Sequence, residues 1–180
     1  MAQQYFSELL KTAIESAYRA TNGLVDLVDD DMLTWKPETG ENWMNVGQLL
    51  MHINSSCGAC CKGFVTGDWG LPPDVNMTDL PPEEMLPPAE KMPTVESVAQ
   101  AREMLAADKE VALAMVAQAG EDDLNHKLTV APWDPEREVP LGYHLLGMVN
   151  HLSQHKDQLF YYLKLQGKPV NTGHLWGMAE

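Results

Sequence analysis

The stretch Pro140–Lys168, PLGYHLLGMVNHLSQHKDQLFYYLKLQGK, constrains the fold most, because its apolar residues keep helical spacing throughout. Leu145, Met148, Leu152, Leu159 and Leu163 form one stripe that must bury against other elements. Pro140 suits the first helical position, where its missing N–H costs nothing, and Gly167 followed by Pro169 reads as the stop. With about 3.6 residues per turn, His151 and His155 fall one turn apart on one face, and His144 lies two turns earlier on nearly the same line. These rings ride at the edge of a helical core or within it, where an imidazole needs a hydrogen-bond partner or a metal ion.

The rest of the chain supplies surfaces for that stripe to pack on. Residues 2–28 carry Phe6, Leu9, Leu10, Ala13, Ile14, Ala17, Leu24 and Val28 mostly three or four apart, a helix with one buried face that Asp29-Asp30-Asp31 ends. Trp35, before Lys36-Pro37, reads as a turn whose aromatic ring caps the core. A second helix starts near Asn45, which with Gln48 has the spacing of a capping box. Val46, Leu49, Leu50 and Ile53 form its stripe, His52 lies beside that stripe, and Cys57, Cys60 and Cys61 follow on its last turns. In a helix such sulfurs pack as small apolar groups, and no second Cys pair completes a four-thiolate site.

Residues 64–93 hold seven of the chain's twelve prolines and little periodicity, which predicts a long surface excursion that either shapes a cleft or covers the helices. Thr94 then serves as N-cap for a third helix through Val95, Val98, Ala101, Leu105, Ala112, Val116 and Ala119, ending at Gly120, with Glu96, Glu103 and Glu110 facing outward. Residues 121–139 read as a polar, turn-rich connection with no competing strand pattern. Past Gly167 the tail is irregular, with Trp176 packing back on the helices and His174 either near a site or on the surface. The expected fold is all-α: a four-helix bundle forming one domain over residues 1–180, with a long proline-rich loop between helices 2 and 3.

Charge and composition remove several functions. Twelve Lys and Arg against 26 Asp and Glu leave a net charge of −14, which opposes contact with nucleic acid and anionic membranes. No apolar run reaches the length of a membrane span, and the N-terminus lacks the basic start and apolar block of a signal peptide. An odd count of three cysteines crowded into CGACC is not a disulfide framework, so a cytoplasmic protein is expected.

A pair of histidines four apart plus one from a facing helix would give three nitrogen ligands and leave a position for water or a thiolate. The segment NHLSQHKDQLFYYLKLQGKP, with the LLMHI helix at residues 49–53, resembles the DinB/YfiT-like superfamily of four-helix-bundle proteins. Asn150, His151, His155, Lys156, Gln158, Tyr162, Leu163 and Gly167 match its last-helix pattern in place, while Asp157 stands where a glycine is common. The resemblance implies a divalent metal, zinc or nickel, held by His52, His151 and His155, and no DNA-binding activity despite the family's damage-inducible name. Two roles stay open, the first of them implied by the resemblance. One is a metal-dependent hydrolase or low-molecular-weight thiol transferase acting on a small-molecule substrate; the other is a non-catalytic metal or small-ligand binding protein of stress response. His144 and Tyr162 are candidates for supporting or acid/base roles. Eleven Met and five Trp, together with the family resemblance, predict a homodimer built on the helices.

Overall fold

In the computed structural model, which describes residues 5–72, 74–75, 77–85 and 87–179, the helical stripes become a mostly helical architecture. The elements are α1 (Tyr5–Val25), α2 (Val46–Ile53), α3 (Gly58–Thr66), α4 (Pro82–Met85), α5 (Val98–His126), β1 (Leu128–Ala131), β2 (Asp134–Pro140), α6 (Leu141–Leu165) and α7 (Thr172–Leu175). Helix α1 packs along α5 and α6, α3 packs on the same two helices, and α2 lies on α6. Leu10, Ile14 and Leu24 of α1 meet Leu49, Leu50 and Ile53 of α2, Leu105 and Val116 of α5, and Leu145, Leu152, Leu159 and Leu163 of α6 in one buried core. Each such side chain contributes about 1.5–3 kcal/mol relative to exposure, which is what holds these helices together.

Helix α2 starts as its sequence dictates: Asn45 Oδ1 accepts from the Gln48 amide at 2.8 Å, and Gln48 Oε1 accepts from the Asn45 amide at 2.9 Å. It ends earlier than expected. The expected second helix is two, broken at Asn54–Cys57, so Cys60 and Cys61 belong to α3 and Cys57 stands at its N-cap position. The break has a cause in α5, where the Asp108 carboxylate accepts from the backbone amides of Gly58 and Ala59 at 2.9 and 2.8 Å and so caps the start of α3. Gly58 permits this approach, because a Cβ there would collide with the Asp108 carbonyl and carboxylate.

Helix α5 starts three residues after the expected cap. Thr94 and Val95 stay outside the helix, the Val95 amide donating to the Gly47 carbonyl at 3.2 Å, and Ser97 Oγ accepts from the Gln100 amide as the actual N-cap. The helical backbone breaks at Gly120 as expected, at φ 70° and ψ 170°, and a further helical segment of α5 follows across this kink to His126. The resumed segment puts the Glu121 carboxylate on the first-turn amides of Phe6 and Ser7 at 3.0 and 2.9 Å, and these hydrogen bonds hold Glu121 down at about 2.

The connection expected to lack strands contains an antiparallel hairpin, β1–β2, pairing Leu128 with Pro140 and Thr129 with Val139, with an irregularity after Val130. Strand β2 carries Asp134, Glu136, Arg137 and Glu138 without apolar alternation, and β1, Leu128–Ala131, is only four residues long, so the sequence gives little strand signal. Tertiary contacts fix it: Trp133 and Trp69 sit edge-on to Phe64, and Phe64 stacks on His144 at 4.4 Å. In the proline-rich excursion the described residues form only single helical turns, and its end docks where Gln48 Nε2 donates to the carbonyls of Ala89 and Met92. Among the described residues no helix is long and apolar enough to cross a membrane.

Candidate metal centre

Two helices carry the site. His52 comes from the last turn of α2, and His151 and His155 come from successive turns of α6 on the face turned toward α2. The leucines that flank them, Leu49, Leu50, Leu152 and Leu159, are fully buried and lock the two helices in register. The three Nε2 atoms converge: His52 to His151 at 3.3 Å, His52 to His155 at 3.0 Å, and His151 to His155 at 3.0 Å. The rings meet edge to face, at interplanar angles of 73°, 89° and 68°, so each presents a nitrogen and not a ring face to the common point. All three rings are half-buried.

The donor set fits a divalent cation. Ligation at about 2.0–2.1 Å in a tetrahedral arrangement would set ring nitrogens about 3.3 Å apart, within a few tenths of an ångström of what is seen. His151 Nδ1 lies 3.3 Å from the Ser56 carbonyl, which can only accept, so Nδ1 carries the proton and the Nε2 lone pair faces the other rings. Burial, and then the neighbouring rings of His155 and His151, push His52 down to about 4. His151 is lowered by burial and by His155, and His155 by burial. Neutral imidazoles are the form that ligates. No carboxylate or thiol joins the three among the described residues.

The remaining candidates lie elsewhere. His144 points at the hairpin, its Nε2 3.0 Å from the Thr129 carbonyl and its ring stacked on Phe64, so it anchors β1 and is not beside the three rings. His174 caps the short α7 with Asn171. Cys57 and Cys61 are buried and Cys60 is half-buried; all three thiols are free, none belongs to the histidine group, and burial pushes Cys60 up to about 12. Tyr162 touches Gln158 and the Met44 carbonyl. Two groups around the rings had no role assigned from sequence, the Ser56 carbonyl and Gln158, the latter named only as a match to the last-helix pattern. Only Gln158 had a signal, its place in that pattern and its three-residue spacing from His155.

Fold and donor set together define a helical protein with a three-histidine group compatible with a divalent metal ion. The family model of the DinB superfamily matches residues 13–159, and the chain belongs to that superfamily. Comparisons with curated proteins and with solved structures return no match.

Proposed function

We propose that His52, His151 and His155 hold zinc or nickel, and that the chain is a metal-dependent hydrolase or low-molecular-weight thiol transferase acting on a small-molecule substrate. The observation that carries this reading is the convergence of three Nε2 atoms at a half-open point on the helices. A metal bound there would act as a Lewis acid and lower the pKa of a bound water or thiol toward about 7. The protein's part is to hold the rings neutral, to fix their orientation, and to leave one side open to solvent. Metal analysis of the purified protein, followed by hydrolysis and thiol-transfer screens of the loaded form, tests the reading. Protein that acquires no stoichiometric metal from either ion defeats it.

A second reading is a non-catalytic metal or small-ligand binding protein of stress response. It is favoured by the absence, among the described residues, of any carboxylate or thiol in the histidine group that would serve as a general base. Metal binding with no turnover in either screen would select it.

The architecture proposed is a DinB-type four-helix bundle over residues 1–180, made by α1, the α2–α3 pair, α5 and α6. The three free cysteines suit a reducing, cytoplasmic setting, and the −14 charge argues against nucleic acid as partner. Exposed Tyr5 and Leu9 on α1 and Tyr161 and Leu165 on α6 support a homodimer formed through the helices. Light scattering that gives the 20.0 kDa mass of one chain at every concentration would refute the dimer.

A further inference from the structure

We infer that Gln158 and Tyr162 are positioning residues that fix which nitrogen of His155 carries the proton, and so aim its Nε2 lone pair at the point shared with His52 and His151. This deepens the metal reading and rests on it only for its functional consequence. Its starting point is the backbone carbonyl of Met44, which can accept a hydrogen bond but never donate one. The Tyr162 hydroxyl lies 2.9 Å from that oxygen, so its one proton is committed there. Tyr162 Oη can then meet Gln158, 3.1 Å away, only as an acceptor, which assigns the facing atom of the Gln158 amide as the NH2 nitrogen. The other end of the same amide, Oε1, therefore faces His155 Nδ1 at 3.1 Å, and an amide oxygen requires a proton on that nitrogen. With Nδ1 protonated, neutral His155 has its lone pair on Nε2, the atom 3.0 Å from both other rings.

Each step is set by a group that has no alternative, so the tautomer is dictated from outside the ring. His151 receives the same assignment from the Ser56 carbonyl, which leaves His151 and His155 facing each other with two acceptors and no proton between them. Such an arrangement is repulsive unless a cation, or an N–H of His52, sits between the lone pairs.

Packing fixes the relay in place. The Tyr162 ring is held edge-on by Trp35 at 5.3 Å and Trp43 at 6.2 Å, and the residue is only 2% exposed. Met44 immediately precedes Asn45, the cap of the helix that carries His52. The relay thus ties the tautomer of an α6 histidine to the start of α2 and sets the two ligand-bearing helices and their lone pairs together. Lys156, beside His155 in sequence, takes no part, since its Nζ is engaged by the Leu175 carbonyl and Asp157.

The test uses four full-length variants with Zn(II) and Ni(II) titrations against a competing chelator, and ring 15N shifts of the metal-free proteins. Gln158→Met keeps length but offers no acceptor, and affinity should fall about 10–100-fold. Gln158→Glu restores an acceptor opposite Nδ1 and should return affinity to the wild-type range. Tyr162→Phe keeps the ring packed on the tryptophans and frees the amide to flip, so affinity should fall about tenfold. The double variant Gln158→Met/Tyr162→Phe should bind no more weakly than Gln158→Met alone, because Tyr162 acts through Gln158; independent packing roles would multiply the losses. In wild-type and Gln158→Glu protein the His155 shifts should report the proton on Nδ1, and in Gln158→Met a mixture of tautomers. Unchanged affinity and unchanged ring shifts in Gln158→Met, or a wild-type His155 protonated on Nε2, would overturn the inference. Wild-type protein that binds neither ion defeats the metal reading instead, and the ring shifts then decide the relay alone.

Discussion

Two polar clusters bridge helices in this molecule, and they differ in what is left over. At the first, Asp108 of α5 takes the Tyr18 hydroxyl of α1 at 2.6 Å and the Gly58 and Ala59 amides of α3. Burial still raises its carboxyl above the ordinary carboxylate value against the lowering effect of these bonds, and burial, with Cys57 and Asp108 nearby, raises Tyr18 well above a normal phenol. At the second, His52, His151 and His155 are likewise pushed toward their uncharged forms by burial. Suppressed charge therefore does not separate a structural cluster from a binding site. Hydrogen-bond accounting does: the Asp108 cluster pairs its donors and acceptors internally, whereas His151 and His155 bring two lone pairs together with no proton of their own between them.

The sharpest way to break that contrast is to remove one ring at a time. His52→Ala, His151→Ala and His155→Ala should each lose stoichiometric metal in elemental analysis while circular dichroism stays helical, because the surrounding core is apolar. Metal retained by all three variants would mean that the surplus lone pairs are not a binding site.

Next in size is Asp108→Ala, which should do the opposite. It orphans the Tyr18 hydroxyl and two α3 amides, so stability should fall by about 3 kcal/mol or more in denaturant unfolding while metal stoichiometry is kept. A variant of wild-type stability would refute the structural assignment. Gly58→Ala should show a milder form of the same loss, about 1–3 kcal/mol, since its new methyl group pushes against Asp108.

The smallest effect is on pH dependence. The histidines have folded values below the unfolded value of about 6.5, with His52 at about 4. In that window the unfolded chain binds more protons than the folded one, so the stability of the metal-free protein should fall as pH falls from 7 to 5. Asp108, raised, contributes with the opposite sign: its share is lost as pH rises through its folded value. His52→Ala should lose less stability than wild type between those two pH values when urea midpoints are compared. Equal losses would show that His52 is not held neutral.

Much of this was legible before any tertiary contact was known. Helical spacing located α1, α5 and α6, the Asn45 and Gln48 pair fixed the start of α2, and four-residue spacing put His151 and His155 on one face. These are local properties, set by backbone periodicity and by side chains reaching a few residues along the chain. That His52 joins that pair, 99 residues from His151 in sequence, was expected only through family resemblance, because which faces of two helices meet depends on how all the stripes pack together. The hairpin has little sequence signal because β1 is only four residues long and the charged β2, held by aromatic contacts from α3, carries no alternation of its own. Asp108 was missed because a buried carboxylate between Leu105 and Ala112 looks like a solvated interruption until the amides of α3 are seen facing it. The protonated nitrogen of His155 is likewise a tertiary decision: the sequence supplied the ring and Gln158 on one helix, and the backbone carbonyl at the far end of the relay, beside α2, settled where the proton sits.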